Sequence, residues 1–291
     1  MTTRGYLTIA ENSDRGNYLE MAYCLGMSIK LTQSKVNGIS VAVTPGTKIP
    51  DHYRKVFDEI LELPWEDDAQ GEKFKVHNKW KYIHISPYEE TVFLDTDMLF
   101  FRDVSEWWDL MTTQDMWFST NPLTYKGTPF VGNYYRKLFE ANDLPDTYNA
   151  FAYFKRTQMT YEVFHMVELI THDWEKFEYD YLSEMRPKWF SMDVAFALAL
   201  KLTGHTEEAT NNYYKIPSFI HMKSQGQGWN IRAGKSLSED WIKYVPVNFT
   251  PDLECKIGGY RILEPLHYHL KNFLTPQIIS YYEAKFNEKN S

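Results

Sequence analysis

Residues 91–101 read TVFLDTDMLFF, a strand-forming run interrupted by two carboxylates that stand one residue apart. Acidic side chains are among those least often buried without a partner, so the apolar residues around Asp95 and Asp97 point to a compensating cation. In an extended chain, residues i and i+2 point the same way, and both carboxylates can therefore reach one ion from one side. Carboxylates suit Mg²⁺, Mn²⁺ and Ca²⁺, and an ion with so few protein ligands would also hold substrate phosphates. The stretch predicts a strand that ends at a divalent-metal site.

Strand and helix patterns alternate along the chain that precedes this site. The patterns predict strands at 6–10, 38–43, 60–63 and 91–94, and helices at 18–30, 51–57 and 76–85. This alternation predicts parallel βαβ units in a doubly wound sheet, where ligands bind outside the carboxyl ends of the strands. Asp95, Asp97 and the loop at 11–17 fall at that edge. The rest of the chain is predicted to hold a loop at 121–148, strands at 149–155 and 216–220, and helices at 158–171, 192–203 and after Pro276.

Composition narrows the class of protein. The 291 residues suffice for one large α/β domain or two small ones. The net charge of −8 disfavours a nucleic-acid-binding surface, which needs clustered Lys and Arg. Cys24 and Cys255 form neither a disulfide framework nor a zinc-ligand spacing. We find no signal-peptide pattern and no apolar stretch of membrane-spanning length, and therefore expect a soluble, cytoplasmic protein.

Several spaced motifs resemble those of glycosyltransferase family 8, the glycogenin-like group of nucleotide-sugar glycosyltransferases with the GT-A fold. Besides the first strand and its polar loop, they are YLEMAYCLGMS at 18–28, VAVTP at 41–45, LDTD at 94–97, NAF at 149–151, SMD at 191–193 and HMKSQGQGWN at 221–230. Each motif alone is weak, and the resemblance lies in their order and spacing over roughly residues 5 to 230.

The resemblance implies a fold and a reaction. The fold would be a mixed, mainly parallel sheet flanked by helices, with a GT-A domain at 1–235 and a C-terminal extension at 236–291 packed on the same domain. The enzyme would be a hexosyltransferase that moves a hexose from a nucleoside diphosphate sugar, foremost a UDP-sugar, to an acceptor hydroxyl with retention of configuration. Its cofactor would be Mn²⁺ or Mg²⁺. A glycan, a protein and a lipid stay open as acceptors, and so does a homodimer.

The resemblance also implies site residues. Asp95, Asp97 and His221 would bind the metal. Asn149 and Asp193 would be catalytic, fixing donor hydroxyls, and Asp193 would stabilise charge at the anomeric carbon. The implied donor-binding residues are Ala10, Asn12, Tyr18, Lys79, Asp95, Thr96, Asp97, Lys223 and Trp229.

Some of these assignments have alternatives, either another residue or another role for the same residue. Lys75 has the better local context for the basic residue near the phosphates, although Lys79 has the better distance from Asp95. Tyr18, implied to stack on uracil, fits a core aromatic nearly as well. Without the resemblance, His221 would be interpreted as a hydrogen-bonded residue at a strand end.

The motifs depart from the family pattern near the phosphate and sugar positions. Gln227 stands where the family has its phosphate-binding Lys, so either Lys223 or Arg232 would take over that contact or the donor would be held differently. Ser224 and Gly228 stand where the family segment has Gly and Pro, and 150–151 read Ala-Phe instead of Ser-Gly. A related GT-A family with another donor or stereochemistry therefore stays open.

Two other functions fit the same residues. Asp-x-Asp also occurs in a phosphohydrolase motif, although Leu99 stands where Thr or Val is expected there. A non-catalytic nucleotide-sugar-binding protein of GT-A shape would explain the loss of the phosphate-binding Lys.

Two further clusters have ambiguous roles. His267 and His269 form a His-x-His pair that we interpret as structural, because no carboxylate partner is apparent in the sequence. A sugar-stacking surface competes with core packing for Trp107, Trp108, Tyr134 and Tyr135.

Overall fold

The structure is a computed structural model that describes residues 3–129, 136–210, 213–222, 245–268 and 270–291. Its strands are β1 (Arg4–Ala10), β2 (Ile39–Val43), β3 (Ile60–Glu62), β4 (Glu90–Leu94), β5 (Met98–Leu99), β6 (Met116–Ser119), β7 (Tyr148–Lys155), β8 (Ile220–His221), β9 (Val247–Phe249), β10 (Cys255–Ile257), β11 (Tyr260–Arg261) and β12 (Leu266–His267). Its α-helices are α1 (Tyr18–Thr32), α2 (Asp51–Arg54), α3 (Tyr82–Ile85), α4 (Glu106–Met111), α5 (Lys137–Ala141), α6 (Gln158–His172), α7 (Trp174–Tyr181), α8 (Met192–Thr203), α9 (Thr206–Thr210) and α10 (Pro276–Lys289). A 3₁₀ helix, His77–Lys81, runs directly into α3.

A six-stranded sheet in the order β3-β2-β1-β4-β7-β6 organises the fold. β1 pairs in parallel with β2 and β4, and β2 pairs in parallel with β3. β7 runs antiparallel to both β4 and β6. The predicted mixed, mainly parallel α/β architecture is therefore confirmed. Because β1 and β4 are parallel neighbours, the loops that follow them meet at one edge of the sheet.

The sheet separates two apolar layers, because successive side chains of a strand point to opposite faces. In β4, Val92 and Leu94 pack in the layer that contains the buried face of α1. Phe93 packs in the other layer, where its ring stacks on that of Phe196 from α8 at a centroid distance of 5.8 Å. All five β4 residues are buried, as expected of a central strand covered on both faces.

Two asparagines fix the start of α1. Asn17 accepts a hydrogen bond from the backbone N–H of Glu20 (3.1 Å), and Asn12 accepts one from that of Leu19 (2.9 Å). These contacts satisfy N–H groups that a helix leaves open in its first turn. The loop after β1 is thereby held close to the carboxyl end of β4.

The C-terminal part of the chain returns to the end of β4. β12 pairs antiparallel with β5 and parallel with β8. The backbone N–H of Tyr268 donates to the carbonyl of Asp97 at 2.9 Å, and α10 packs against α1. The predicted boundary between residues 235 and 236 lies outside the described residues and stays a prediction.

Three segments differ from their predicted structure. Residues 76–85 form the 3₁₀ helix and α3 instead of one helix, and 121–148 contain α5 within the predicted loop. The strand predicted at 216–220 is only β8, since Pro217 has no N–H for a ladder and pairing begins where Ile220 N–H donates to a carbonyl of the β12 segment. Strands β5, β6 and β9 to β12 and helices α4, α7 and α9 were not predicted at all. Across the described residues, no helix combines the length and the apolar character needed to cross a membrane.

Candidate active site

The turn that follows β4 carries the two predicted metal-binding carboxylates and is anchored on both sides. The N–H of Asp95 donates to the carbonyl of Ala150 at 3.0 Å, which ties the turn to β7. The carbonyl of Asp97 accepts from Tyr268, which ties it to the C-terminal segment. Asp95 and Asp97 are thus held by the sheet and by the returning chain together.

A histidine from β12 completes the carboxylate pair. His267 Nε2 lies 3.2 Å from Asp97 Oδ1 and 3.6 Å from Asp95 Oδ2. One ligand atom from each of these residues lies within 4.8 Å of the others, an arrangement that can hold a metal ion. The expectation that His267 lacks a carboxylate partner is wrong, because its partners come from a turn 170 residues away in sequence. The only available signal was the His-x-His spacing, and His269 itself lies outside the described residues.

His221, the predicted metal ligand, lies beside this cluster. It is the register partner of His267 across β8 and β12, and the two rings stack at a centroid distance of 5.0 Å with planes 15° apart. The Nδ1 of His267 is buried and has no hydrogen-bond partner among the described residues. Ring stacking by His221 therefore helps to orient His267. Direct metal binding by His221 stays a prediction.

Two lysines contact the outer oxygens of the carboxylates. Lys79 Nζ donates to Asp95 Oδ1 and to Asn149 Oδ1, while Lys271 Nζ donates to Asp97 Oδ2 at 2.6 Å. Lys75 instead donates to the carbonyl of Ala69. The structure thus brings Lys79 to the carboxylates, and it adds Lys271, which no local pattern in the sequence indicates.

The pKa shifts of Asp97 and Lys271 are those expected of an ion pair. Burial opposes ionisation of Asp97, but Lys271 and His267 outweigh it and hold the pKa of the carboxyl well below its usual range. Burial likewise favours neutral Lys271, but Asp97 outweighs it and raises the pKa of the ammonium. Both groups are charged at neutral pH.

The predicted catalytic pair lies behind Lys79. The backbone N–H and the side-chain amide of Asn149 both donate to Asp193 Oδ1, and Arg136 Nη1 donates to Asp193 Oδ2 at 3.1 Å. Asp193 stands in the first turn of α8, where the helix dipole favours a carboxylate. A continuous chain of polar contacts therefore runs from Arg136 through Asp193, Asn149 and Lys79 to Asp95.

A cavity of about 200 Å³ lies beside the carboxylates. Its described lining includes Glu11, Arg15, Tyr18, Phe74, Lys75, Lys79, Asp95, Thr96, Asp97, His267 and Lys271. Lys271 Nζ lies 4.6 Å from the centroid of the Tyr18 ring, so an ammonium and an aromatic face share one wall. Ala10 is buried at the end of β1, and Asn12 caps α1 just outside the described lining. Asn149 and Asp193 are also outside that lining.

The charges around the cavity show what a metal would change. Two carboxylates and two ammonium groups sum to a formal charge of zero. The inner oxygens of Asp95 and Asp97 face His267 instead of a lysine, so two hard oxygen donors and one imidazole converge where a divalent cation would fit. With that cation the site would carry a charge of +2, which suits an anionic ligand such as a diphosphate.

Other predicted residues are distributed outside this cluster. Lys223 and Trp229, like the alternative phosphate contact Arg232, lie outside the described residues. So do Tyr134 and Tyr135. Trp107 and Trp108 are buried in the core, where Trp108 Nε1 donates to the hydroxyl of Tyr6 at 3.0 Å, and they do not form a surface.

No protein-family model matches the chain, and no curated protein matches it in sequence. Among solved structures, it is similar to the galactosyltransferase LgtC in complex with donor and acceptor sugar analogs (11% identity, TM-score 0.44, covering 67% of this chain and 70% of LgtC). It is similar to the glycosyltransferase GlyE of Streptococcus pneumoniae TIGR4 (10%, 0.44, covering 72% and 45%). It is also similar to mouse xyloside xylosyltransferase 1 (7%, 0.45, covering 93% and 99%). TM-scores below 0.5 assign no activity to this chain, so its function has to be inferred from its own side chains.

Proposed function

We propose that this protein is a metal-dependent glycosyltransferase that moves a hexose from a nucleoside diphosphate sugar, foremost a UDP-sugar, to an acceptor hydroxyl. The observation that carries the proposal is the convergence of Asp95, Asp97 and His267 beside a cavity that also presents Lys79 and Lys271. The spaced motifs that resemble glycosyltransferase family 8 agree with it.

The site is suited to hold a leaving group that gains negative charge. As a glycosidic bond to a diphosphate breaks, that charge develops on the phosphate oxygens, and preorganised cations stabilise it. Lys79 and Lys271 are held ready for this role by Asp95 and Asp97. A divalent cation held by Asp95, Asp97 and His267 would supply Lewis-acid and template chemistry at the diphosphate. The metal would be Mn²⁺ or Mg²⁺, which both accept carboxylate ligands.

One wall of the cavity fits the nucleoside. Lys271 Nζ lies over the Tyr18 ring. In our proposal the base stacks on Tyr18, and the Lys271 ammonium binds the phosphates attached to the same nucleoside. This pairing supports the binding role expected for Tyr18 and extends it to Lys271. In our proposal Lys271 makes the phosphate contact that the family motif assigns to the position of Gln227.

We assign Asn149 and Asp193 to the donor sugar. Their contacts with each other and with Arg136 fix both side chains in one orientation. A fixed carboxylate near the reacting carbon would stabilise positive charge as the glycosidic bond breaks. With the acceptor attacking on the face of the leaving group, the reaction would retain the anomeric configuration.

The first experiment measures thermal unfolding with UDP, GDP, CDP and ADP, each with and without Mn²⁺. A ligand that prefers the folded state must raise the unfolding midpoint. We expect a rise with UDP that requires Mn²⁺. A rise with another nucleotide would change the donor, and no rise with any combination would contradict the proposal.

The second experiment separates the transferase from a phosphohydrolase by its product. Incubation with UDP-hexoses and Mn²⁺ should release UDP, whether the acceptor is a glycan hydroxyl or, slowly, water. Release of inorganic phosphate from simple phosphoesters, with no UDP from any donor, would favour the phosphohydrolase instead. Binding of UDP-hexose without release of UDP would favour the non-catalytic protein.

A further inference from the structure

Two aromatic side chains, one in the cavity lining and one outside it, pack against each other beside the cavity. Phe74 lines the cavity, and the ring of Trp189 lies 6.0 Å from it with planes 36° apart. Trp189 is 50% exposed, although it is a large apolar side chain. A single exposed aromatic is ordinary, but one that extends the wall of a charged cavity offers a ligand a flat apolar surface beside polar groups. We call Phe74 and Trp189 the aromatic rim.

The aromatic rim is fixed to the elements that carry the site. Phe190, next to Trp189, stacks on His77 with ring centroids 4.3 Å apart. His77 begins the 3₁₀ helix that carries Lys79, and four residues after Trp189 the chain reaches Asp193 in the first turn of α8. The contact between these two segments therefore sets the position of the rim relative to the charged cluster.

Cations lie over the Phe74 side of the rim. The Arg15 guanidinium lies 4.8 Å from the centroid of Phe74 and also lines the cavity, and Lys73 Nζ lies 5.7 Å from the same centroid. The rim thus combines flat aromatic surface with the N–H donors of Arg15 and Lys73, which lie within 6 Å of the Phe74 centroid. A pyranose has the matching chemistry, since one face presents C–H groups and the edge presents hydroxyls. A lipid chain would instead require a longer apolar groove without flanking charges.

We propose that the aromatic rim is the acceptor subsite and that the acceptor is a carbohydrate, whose ring stacks on the Trp189 indole while Arg15 binds its hydroxyls. This inference rests on the proposed glycosyltransferase function and narrows its acceptor to a glycan. Stacking on Trp189 brings a hydroxyl of the acceptor toward the donor sugar held near Asn149 and Asp193. Trp189 is then a specificity-determining residue that binds acceptor and does not bind nucleotide.

The test compares Trp189→Ala with Trp189→Phe and with Trp65→Ala. Trp65 is the matched control because it is also exposed, at 63%, and stacks on Trp80 outside the described lining of the cavity. Each protein is assayed with Mn²⁺ and UDP-hexoses for UDP release in water alone, and then with methyl glycosides and disaccharides of common hexoses and pentoses. Thermal shift with UDP and Mn²⁺ measures nucleotide binding in every variant.

We expect at least one glycan to accelerate UDP release by the natural protein and to form a glycosylated product. Trp189→Ala should raise the KM for that glycan by roughly tenfold, a typical effect of losing one aromatic contact, and leave the UDP shift and the release in water unchanged. Trp189→Phe keeps a stacking face and should stay within about threefold of the natural protein, as should Trp65→Ala.

Two results would overturn the acceptor assignment while the proposed function survives. One is UDP release that no glycan accelerates, with transfer to a peptide or lipid alcohol instead. The other is a Trp189→Ala variant whose UDP shift falls while the KM for the glycan stays unchanged, which would place the rim at the donor. If the natural protein neither binds UDP nor releases it from any donor, the proposed function itself fails.

Discussion

The two carboxylates of the Asp-Thr-Asp turn stand in different surroundings. Asp95 contacts Lys79, which also holds Asn149 and comes from the neighbouring 3₁₀ helix. Asp97 contacts Lys271 and His267, both from the C-terminal segment. The Asp97 side chain is 9% exposed and that of Asp95 is 22% exposed. The lysines have the opposite order, since Lys79 is 8% exposed and Lys271 27% exposed.

This difference separates the fixed part of the site from the adaptable part. On the Asp95 side the cation is buried and shared with an amide, and on the Asp97 side the carboxylate is buried and its cation reaches solvent. A buried charge is costly when its partner is removed, whereas an exposed partner can turn to water. We therefore expect the largest losses of stability from removing Asp95, which leaves the buried Lys79 without its carboxylate, and from removing Lys271, which leaves the buried Asp97 without its cation.

The largest effect is expected from Asp97→Asn. The change removes a metal ligand and leaves Lys271 and His267 facing an amide, so transfer activity should fall on the order of a hundredfold or more. Stability at pH 7 should fall by about 2 kcal/mol, less than for a fully buried pair because Lys271 can reach water. Activity assays and urea unfolding measure the two losses.

The pH dependence of that loss checks its cause. Folding lowers the pKa of Asp97, so its stabilisation is complete above the unfolded value of about 3.9 and fades as the pH falls below it. The destabilisation by Asp97→Asn should therefore persist from pH 5 to 8 and shrink in acid. Asp95→Asn is the matched comparison and should lose comparable activity with a larger loss of stability, about 3 kcal/mol, because it leaves the buried Lys79 without its carboxylate. Full activity and metal affinity in Asp97→Asn would contradict the metal site.

The second effect concerns the two stacked histidines. His267→Ala removes the imidazole that faces both carboxylates and should weaken Mn²⁺ binding by more than about a hundredfold, whereas His221→Ala removes only the ring that orients it and should weaken binding by about tenfold. Isothermal titration with Mn²⁺ measures both affinities. The reverse order would make His221 the ligand, as the sequence motif implies.

These histidines also show where sequence-based prediction ends. Asp95, Asp97 and Lys79 lie within 19 residues of one another, and the apolar run that contains the carboxylates is itself the signal for a buried strand end. The parallel strands around them were predictable for the same reason, since hydrophobic periodicity is a local property. His267 and Lys271 have no such local signal. Their place depends on β12 inserting between β5 and β8, a long-range pairing that short strands of two residues do not specify by pattern.

The predictions missed helix α5 within 121–148 and strand β6 for a related reason. Met116–Ser119 is short and apolar, and such a run does not distinguish a strand from a buried helix segment. This segment is a strand because it pairs antiparallel with β7. In the motif at 221–230, only His221 and Met222 are among the described residues.

The third effect tests the lysines as a pair. Lys79→Met leaves Asp95 and Asn149 without their shared donor, so we expect a loss of about 2 kcal/mol in stability together with weaker UDP binding. Lys271→Met should weaken UDP binding by about tenfold and cost about 3 kcal/mol, because it leaves the buried Asp97 carboxylate without its cation. Urea unfolding and UDP titration with Mn²⁺ measure both. Equal stability losses would show that the two sides of the site do not differ as proposed.

The last effect concerns a third carboxyl in the same cavity, one without an ion pair among the described residues. Glu11 is buried at the end of β1, where it accepts a hydrogen bond from Asn78. Burial first, and then the neighbouring charge of Asp67, raises its pKa to about 7, opposite to the shift of Asp97. Because the folded state binds this proton more tightly than the unfolded state, the contribution of Glu11 makes stability fall as the pH rises from about 4.3 to 7 and level off above that.

Glu11→Gln removes that dependence. The amide can still accept from Asn78 and can donate toward Asp67 as the proton of the acid does, so the fold should tolerate it. Relative to the natural protein, we expect no difference near pH 4 and a gain of about 2 kcal/mol at pH 8. Urea unfolding from pH 4 to pH 8 measures this difference. Asp67→Asn removes the repelling charge and should likewise make stability fall less as the pH rises. If Glu11→Gln leaves the dependence of stability on pH unchanged, the pKa of Glu11 is not raised in the folded state. The proposed contrast between Glu11 and Asp97 would then be wrong.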